Sequence, residues 1–500
     1  MSFSTPIFLF MFLPICILGY WLTDKRYKNI FICIFSLAFY AWNGITFLLL
    51  VLLTTCVTFI LGMKLEKCEG KKKNLYLIIG IIYSVGILFY FKYFAWFIES
   101  VAGLLPTIKF TFSEKLVPMA LPLGISFYTF SVLSYIIDIY WGKCKAQKKL
   151  SNLLLYILLF PKMVMGPIMR YADFEKQLDG RPCNSTIIYQ GIECFIKGIV
   201  KKIWIADNIA PIVTYAFSNA ENLNTVTAWL GIVGYLLQLY FDFSGYCDMA
   251  IGLGNMMGFQ LPENFDHPYM SESVAEYWRR WHSTLGDWLK DYIYMPVFRS
   301  ILLKKVPFIK KQISINASDI MALFVVWVIA GVWHGAGINY ILYGLWYFLF
   351  IAIERLLELR KKKLIKAKKI KKKEDTIGIR ILKRVATGFA IIIGQTLFRS
   401  TGIKETVLYI KALFSMNFNG AEEVLIQMTT SVCVAMIVGI VFCFPIYEKV
   451  KTKVYSLVSD KPIVSVLVQN IYNLVLLGAY IVVILYIAGS GYAPFLYEVF

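Results

Sequence analysis

The chain has 500 residues, of which 58% are hydrophobic and only 16% are charged, and its mean hydropathy is +0.64. Because soluble domains carry about 25% charged residues, this composition excludes an ordinary soluble protein and indicates a polytopic membrane protein. The net charge of +20 lies in short segments between apolar runs, as is typical of cytoplasmic loops. No basic-aromatic module accompanies this charge, so nucleic-acid binding is excluded as well.

The first part of the chain alternates apolar runs with basic connections. Hydropathy predicts membrane spans at 6–22, 29–43, 45–62, 75–97 and 117–140. The basic connections lie at 24–28, 64–73 and 142–149. Placing them in the cytoplasm predicts an extracytoplasmic N-terminus. The first run lacks a basic leader and is long enough to remain in the bilayer, so we expect no cleavable signal peptide.

The run 150–169 is interrupted by Pro161, Gly166 and Pro167, which predicts a kinked or re-entrant segment buried inside protein. The later apolar runs predict further spans near 186–206, 226–251, 319–335, 338–357, 378–398, 423–446 and 464–488. The densest basic block, at 360–373, is expected in the cytoplasm. We therefore predict an all-α, polytopic membrane protein with about eleven or twelve transmembrane helices, plus re-entrant and interfacial amphipathic helices.

This pattern divides the chain into four predicted segments. They are N-terminal transmembrane helices at 1–116, a core at 117–358 with interfacial helices at about 252–318, a basic cytoplasmic loop at 359–375, and C-terminal transmembrane helices at 376–500.

A histidine ends one of the most apolar runs, in the stretch AGVWHGAGIN at 330–339. An ionisable ring in such a run is costly, so His334 is a candidate functional residue. On a helix, Ala330 and Gly331 share its face, and their small size leaves room for a ligand or for a close-packed helix. Gly335 and Gly337 favour a helix end directly after the histidine. The alternative is a buried histidine bonded to a neighbouring carbonyl.

A second histidine follows a helix-start signal in the polar middle region. Ser273 and Glu276 have the spacing of a capping box. The residues that follow read YWRRWHSTLGDWLKDYIY, and their apolar positions form one stripe at helical spacing that includes His282. This predicts a single amphipathic helix with His282 on its aromatic face, either as a packed polar tip or as part of a site facing the protein interior.

Charged residues near these histidines need partners. Arg279 and Arg280 could contact lipid phosphates or hold a phosphorylated ligand. Asp242 and Asp248 lie in the apolar stretch QLYFDFSGYCD, and the two arginines are plausible partners for them. The ten cysteines show no CxxC pair and no metal-ligand spacing, so we predict no metal site.

Four stretches carry a family resemblance: LPLGISFYTFSVLSYIIDIYWG (121–142), FPKMVMGPIMRYADFEKQL (160–178), QLYFDFSGYCDMAIGLGNMMGFQLPENFDHPY (238–269) with EYWRRWHSTLGDWLKDYIYMP (276–296), and GVWHGAGINYILYGLWY (331–347). Together they resemble the membrane-bound O-acyltransferase family. The bacterial branch that acetylates alginate is the most similar, and the length of the C-terminal part favours it over the branch that D-alanylates teichoic acid. Trp281–His282 and Trp333–His334 match the family's two histidine motifs.

The resemblance implies a reaction and a set of roles. The expected reaction moves an acyl group, above all acetyl, from a cytoplasmic thioester such as acetyl-coenzyme A to a hydroxyl, with His334 as general base and His282 positioning the donor or supporting the site. No bound cofactor is implied. The residues expected to bind or support the donor are Trp281, Arg279, Arg280, Trp333, Asp242 and Asp248, and those expected to line the acceptor side or pore are Ala330, Gly331 and Asn339.

The resemblance also implies a place and partners. It implies a multi-pass protein of the cell membrane, an extracellular or cell-envelope polysaccharide as acceptor, and a separate extracytoplasmic, esterase-like transferase. If 319–335 is a full outward span, His334 lies near the external face, too far from a cytoplasmic donor. An early helix end at Gly335–Gly337, which the glycines and the small face at Ala330 and Gly331 favour, would place His334 near mid-membrane, within reach of both sides.

Two other functions stay open. One is D-alanyl transfer to teichoic acid from a carrier-protein thioester. The other is a proton-coupled lipid or polysaccharide transporter that uses the embedded histidine, although no internal repeat supports it.

Overall fold

The computed structural model describes residues 1–104, 121–182, 184–303, 314–367, 375–490 and 493–496. In these ranges the chain is helical and contains no strand, and Phe265 pairs with Trp281 in an isolated bridge. The predicted all-α class is thereby confirmed. The predicted boundary at 116–117 and residues 368–373 of the basic block at 360–373 lie outside the described residues.

The chain forms two compact units, which interleave along the sequence. Unit 1 comprises Met1–Ile199, Gly245–Pro262 and Val483–Phe500, and unit 2 comprises Val200–Ser244 and Glu263–Val482. These two units are defined by which residues contact each other, whereas the four segments predicted from the sequence are defined by hydropathy and by the family resemblance. The division into four segments therefore stays a prediction.

Unit 1 is built around a buried helix and a broken one. Its helices are Phe8–Phe12 (a π-helix continuing into Leu13–Leu22), Lys28–Ala41, Ile45–Lys67, Gly70–Lys92, Phe94–Leu104, Ile125–Tyr140, Leu150–Leu158, Phe160–Met163, Tyr171–Glu175 and Ser185–Val200. Ile125–Tyr140 packs against Ile45–Lys67 and Gly70–Lys92. The run from Leu150 breaks at Leu159, where φ is −47° and ψ is 105°, and its residues from Leu155 to Met169 are buried. The predicted interruption of this run is confirmed.

Unit 2 carries both candidate histidine motifs. Its helices are Lys201–Ala206 (π), Asp207–Ser218, Ala220–Asn222 (3-10), Thr225–Met256 as far as Ser244, Pro268–Met270 (3-10), Val274–Arg280, Ser283–Leu289, Lys290–Tyr294 (π), Met295–Leu302, Ile315–His334, Ile338–Lys366, Ile377–Arg399, Ile403–Phe414, Ala421–Gln427, Thr430–Phe442, Ile446–Val458 and most of Pro462–Ser490. Ile315–His334 and Ile338–Lys366 form a helical hairpin through a three-residue turn, and Ile377–Arg399 packs beside the second of them.

Among the described residues, six helices are long and apolar enough to cross a membrane. They are Ile45–Lys67, Gly70–Lys92, Thr225–Met256, Ile315–His334, Ile338–Lys366 and Pro462–Gly489. Three shorter apolar helices lie at Phe8–Leu22, Lys28–Ala41 and Ile125–Tyr140. The protein is therefore a multi-pass membrane protein, and the larger number of spans stays a prediction.

One predicted span has a different form. The run at 423–446 is a pair of helices, Ala421–Gln427 and Thr430–Phe442, which meet at an angle of 88°. Thr429 starts the second helix by accepting a hydrogen bond from the backbone of Val432, so a new helix N-terminus interrupts the apolar run.

Candidate active site

The helix that precedes His282 begins as predicted and ends earlier than predicted. The hydroxyl of Ser273 accepts a hydrogen bond from the backbone N–H of Glu276 at 3.0 Å, and the helix starts at Val274. The carboxylate of Glu354 also accepts from the N–H groups of Val274 and Ala275, at 2.7 and 2.9 Å. A carboxylate at this position stabilises the positive end of the helix. The capping box is therefore confirmed.

The single amphipathic helix predicted through His282 is wrong. Helix Val274–Arg280 stops before Trp281, and His282 adopts the left-handed conformation with φ 46° and ψ 48°. That conformation costs about 1–2 kcal/mol for a residue with a Cβ. Hydrogen bonds to a loop offset this cost, because Asp266 N–H donates to Arg280 and Ser283 N–H donates to Asn264, both at 3.0 Å.

Asn264 determines which nitrogen of His282 carries the proton. Its Oδ1 lies 3.0 Å from His282 Nδ1, and it accepts hydrogen bonds from the Thr284 backbone N–H at 3.2 Å and the Thr284 hydroxyl at 2.8 Å. A backbone N–H can only donate, so the atom it meets must be the oxygen of Asn264. His282 Nδ1 therefore donates as N–H, and Nε2 carries the lone pair.

His282 is only 2% exposed, and its ring meets Phe243 edge to face with centroids 4.8 Å apart. Burial lowers the pKa of the imidazole to about 3, because an apolar environment disfavours the charged form. His282 is therefore a neutral base at neutral pH.

His334 is the last residue of its helix, and Gly335 follows it in an extended conformation. The predicted helix end directly after the histidine is confirmed, whereas the depth of the ring in the membrane stays a prediction, because this helix of 20 residues is long enough to cross a bilayer. The ring is 7% exposed and is surrounded by Trp333, Tyr343 and Phe398, with ring centroids at 4.7, 5.4 and 5.0 Å. This histidine thus lies in an aromatic enclosure at the end of the helical hairpin.

Trp333 brings the two histidines into one cluster. Its ring centroid lies 6.3 Å from that of His282 and 4.7 Å from that of His334. The two histidine motifs, separated by about fifty residues of sequence, therefore share one indole.

The small residue Gly331, three positions before His334, packs closely against the helix Ile338–Lys366. A Cβ added to Gly331 would meet the carbonyl oxygen of Tyr340 at 2.4 Å and the Cα of Gly344 at 3.2 Å. Of the two alternatives left open by the sequence, the close-packed helix is the one observed for Gly331, and Ala330 beside it is also buried. Asn339 is buried too, and its side-chain amide donates to the carbonyls of Ser400 and Leu397, at 3.0 and 3.4 Å.

The predicted pairing of the aspartates with arginines is wrong. Asp242 pairs with Lys202 at 2.7 Å, and Lys202 also contacts Asp207 at 2.8 Å. Both Asp242 and Lys202 are almost fully buried. Asp248 lies in unit 1, half-buried, with its backbone carbonyl accepting from the Cys194 thiol. The sequence signal for Lys202 was a lysine inside an apolar run, which needs a buried partner.

Arg279 and Arg280 differ in their ion pairs and in their exposure to solvent. Arg280 forms ion pairs with Glu276 at 3.0 Å and Asp266 at 3.1 Å, so its charge is already compensated. Arg279 is exposed. Trp281 is buried and stacks on Tyr277 with ring centroids 5.6 Å apart, which makes it part of the packing that holds the helix break.

The fold and the site together define a class of protein: an all-helical membrane protein in which two buried histidines contact the indole ring of one tryptophan. The family model described as MBOAT, membrane-bound O-acyltransferase family, matches residues 147–363, which include both histidines. The chain is 32% identical to the probable alginate O-acetylase AlgI of Pseudomonas putida, over 99% of both chains. It is 31% identical to the peptidoglycan O-acetyltransferase of Helicobacter pylori, over 71% of this chain and 70% of the relative.

A teichoic acid D-alanyltransferase of Bacillus subtilis is 33% identical over 48% of this chain and 60% of the relative. The chain belongs to the membrane-bound O-acyltransferase family, and it is an O-acyltransferase. The resemblance described from the sequence is thereby confirmed.

Proposed function

We propose that this protein takes an acetyl group from a cytoplasmic thioester, acetyl-coenzyme A, and passes it across the membrane for O-acetylation of a cell-envelope or extracellular polysaccharide. Relatives named as alginate or peptidoglycan O-acetylating enzymes support this acceptor class, since they match 71–99% of the chain. In this proposal the N-terminus is extracytoplasmic, and a separate esterase-like transferase outside the membrane completes the transfer to the polymer.

The observation that carries the proposal is the histidine cluster around Trp333. Acyl transfer from a thioester to a hydroxyl needs a group that removes the hydroxyl proton while its oxygen attacks the carbonyl. We assign this role to His334. The C–O bond forms as the C–S bond breaks, and the proton taken by the imidazole is available to the departing thiolate. The aromatic enclosure of His334 limits water, which would otherwise hydrolyse the thioester.

His282 has a complementary role in this proposal. Its Nδ1 proton is committed to Asn264, so Nε2 presents a lone pair of a neutral ring. Such a nitrogen accepts a hydrogen bond from an N–H or O–H group of the donor and thereby orients the thioester. A charged ring at this position could not accept that bond.

Arg279 is the remaining candidate for the donor's phosphates, because it is exposed while the charge of Arg280 is compensated within the protein. The buried Lys202–Asp242 pair stabilises the fold and takes no part in the reaction we propose. No metal or bound cofactor is required for this chemistry.

A donor-competition assay tests the proposal. Purified protein in liposomes is given radiolabelled acetyl-coenzyme A, with a D-alanyl thioester on a phosphopantetheine carrier protein as competitor. We expect consumption of acetyl-coenzyme A, label on an added polysaccharide only when the separate extracytoplasmic transferase is also supplied, and no effect of the carrier thioester. Transfer from the carrier thioester alone would establish D-alanyl transfer instead, which the half-length match to a D-alanyltransferase supports. Transport of lipid or polysaccharide without acyl transfer would establish the third alternative.

A further inference from the structure

A short helix connects the hairpin that carries His334 to the ring of His282. This helix, Val274–Arg280, packs against helix Ile338–Lys366, which is the second arm of the hairpin. His282 follows two residues after the short helix ends. The position of one histidine relative to the other therefore depends on how the short helix is held against the hairpin.

Glu354 holds the start of this helix on the hairpin. Its carboxylate accepts hydrogen bonds from the backbone N–H groups of Val274 and Ala275, at 2.7 and 2.9 Å. These are two of the N–H groups that the first turn of a helix cannot satisfy by itself. The next N–H group, that of Glu276, donates to the hydroxyl of Ser273 at 3.0 Å, directly before the helix. Ser273 thus stabilises the helix alone, whereas Glu354 also fixes where the helix lies.

The middle of the helix packs on the same hairpin through aromatic rings. The ring centroid of Trp278 lies 5.0 Å from that of Trp327 and 4.9 Å from that of Tyr347. Trp327 belongs to the first arm of the hairpin and Tyr347 to the second. Burial of apolar rings is non-directional, whereas hydrogen bonds require close alignment. The carboxylate of Glu354 therefore supplies the directional part of this attachment.

A small change at the start of the helix is enlarged at its end. The helix has 7 residues, which at a rise of 1.5 Å per residue gives a length of about 10 Å. A tilt of about 10° over that length moves the far end by roughly 2 Å, and a misplacement of about 1 Å can slow a reaction about 100-fold. Arg279 lies on this helix and His282 lies beyond it, so both groups assigned to the donor move with the helix.

We propose that Glu354 is a positioning residue for acyl transfer: it holds helix Val274–Arg280 on the hairpin and thereby sets the position of His282 relative to His334. Glu354 touches neither the donor nor the acceptor and acts through the helix. The inference rests on the proposed function, from which it takes the role of His282 in orienting the thioester and that of His334 as the base.

Isotope-labelled histidine reports the ring positions without requiring turnover. The chain contains three histidines, so the full-length protein in nanodiscs gives three sets of ring signals, which single His→Gln variants assign. The ring centroid of His282 lies 6.3 Å from that of Trp333, and the ring current of this indole shifts the histidine signals. We expect Glu354→Ala to move the His282 signals, because the ring changes its position against the indole. Glu354→Gln keeps one acceptor oxygen and should move them less.

Two control variants separate this role from a general loss of stability. Glu358→Ala removes the same type of side chain one turn later, where it pairs with Arg355 and Lys362 of its own helix. Ser273→Ala removes a cap from the start of the short helix and leaves the attachment by Glu354 intact. We expect Ser273→Ala to lower the melting temperature, and we expect neither control variant to move the ring signals.

Kinetics with acetyl-coenzyme A provide a second readout, measured well below the melting temperature of every variant. Because both groups assigned to the donor move with the helix, Glu354→Ala should raise the KM for acetyl-coenzyme A about 10-fold and lower kcat less. Glu354→Gln should lie between Glu354→Ala and the wild type, and it carries the same comparison if Glu354→Ala does not fold. Glu358→Ala and Ser273→Ala should change this KM less than threefold.

Two results would overturn the proposal. One is a Glu354→Ala protein with a lower melting temperature but unmoved ring signals and an unchanged KM, since the carboxylate then only stabilises the helix. The other is a Ser273→Ala protein whose ring signals move as far as those of Glu354→Ala, since the loss of any cap then has the same effect.

The variant His334→Ala separates this inference from the proposed function. If His334→Ala keeps wild-type turnover while Glu354→Ala moves the His282 signals and raises the KM, the proposed base is wrong and the positioning role stands. If His334→Ala loses turnover while Glu354→Ala leaves the signals and the KM unchanged, the positioning role fails and the proposed base stands.

Discussion

Replacing Asn264 by alanine removes a single oxygen atom on which three hydrogen bonds converge. Those bonds come from His282 Nδ1, the Thr284 backbone N–H and the Thr284 hydroxyl, at 3.0, 3.2 and 2.8 Å. A buried donor that loses its acceptor costs about 1–3 kcal/mol, so the variant is expected to lose several kcal/mol of stability. The His282 proton is then no longer held on Nδ1, and donor positioning suffers as well.

The assay for Asn264 combines melting temperature with acetyl-coenzyme A turnover in liposomes. For Asn264→Ala we expect a lower melting temperature and a fall in kcat of about 10-fold or more, since a misplaced supporting ring commonly costs that much. Asn264→Asp keeps an acceptor oxygen and adds a negative charge next to the ring, which favours the imidazolium. Its activity should therefore decline at a higher pH than that of the wild type as the solution is acidified.

The outcome that refutes this reasoning is specific. If Asn264→Ala melts at the wild-type temperature and turns over at the wild-type rate, the amide does not hold His282. If Asn264→Asp shows the pH profile of the wild type, the ring that titrates is not next to residue 264.

The remaining predictions concern acid stability, packing and the buried ion pair. His282 has a folded-state pKa of about 3 against an ordinary value of 6.5, so its contribution to stability is complete above pH 6.5 and is lost as pH falls toward 3. Acid unfolding of His282→Gln should depend less on pH in that window; an unchanged dependence would contradict this. Gly331→Ala forces the hairpin apart and should lower the melting temperature, whereas Gly388→Ala, which meets nothing within 4 Å, should not; equal melting would contradict the close packing. Lys202→Met leaves Asp242 buried without its cation and should cost about 3–5 kcal/mol, as measured by urea unfolding; a loss below 1 kcal/mol would contradict the pairing.

Local patterns in the sequence predicted the helical class, the helix start at Val274 and the helix end at His334. These features depend on composition, on a four-residue capping signal and on glycines next to the histidine. The information for each is contained within one turn or one apolar run. The break in the run at 150–169 was also predicted, because its prolines and its glycine lie within the run itself.

The conformation of His282 required information from elsewhere in the chain. The apolar stripe from Trp278 to Tyr292 keeps helical spacing, so periodicity alone favours one helix. The backbone leaves that helix because Asn264 and Asp266 offer hydrogen bonds from a loop about fifteen to twenty residues earlier. Asn264 therefore could not be recognised as a site residue until the loop and the helix break were seen together.

The partner of a buried charge was the other feature that could not be predicted from the sequence. Asp242 clearly needed a cation, and the nearest attractive pair in sequence terms was Arg279 and Arg280. Lys202 provides the charge from forty positions away, as the second residue of the π-helix Lys201–Ala206. Helical wheels do not show which of several distant cations reaches a buried carboxylate.

Acetyl-coenzyme A turnover by His334→Ala tests the central claim most directly, with His267→Ala as the matched control. His267 is the third histidine of the chain and lies in a loop, near Asp266 and Glu448. If His334 is the general base, His334→Ala should lose at least about 100-fold in turnover while its melting temperature stays near that of the wild type, and His267→Ala should retain wild-type turnover. Wild-type turnover by a well-folded His334→Ala protein would contradict the account.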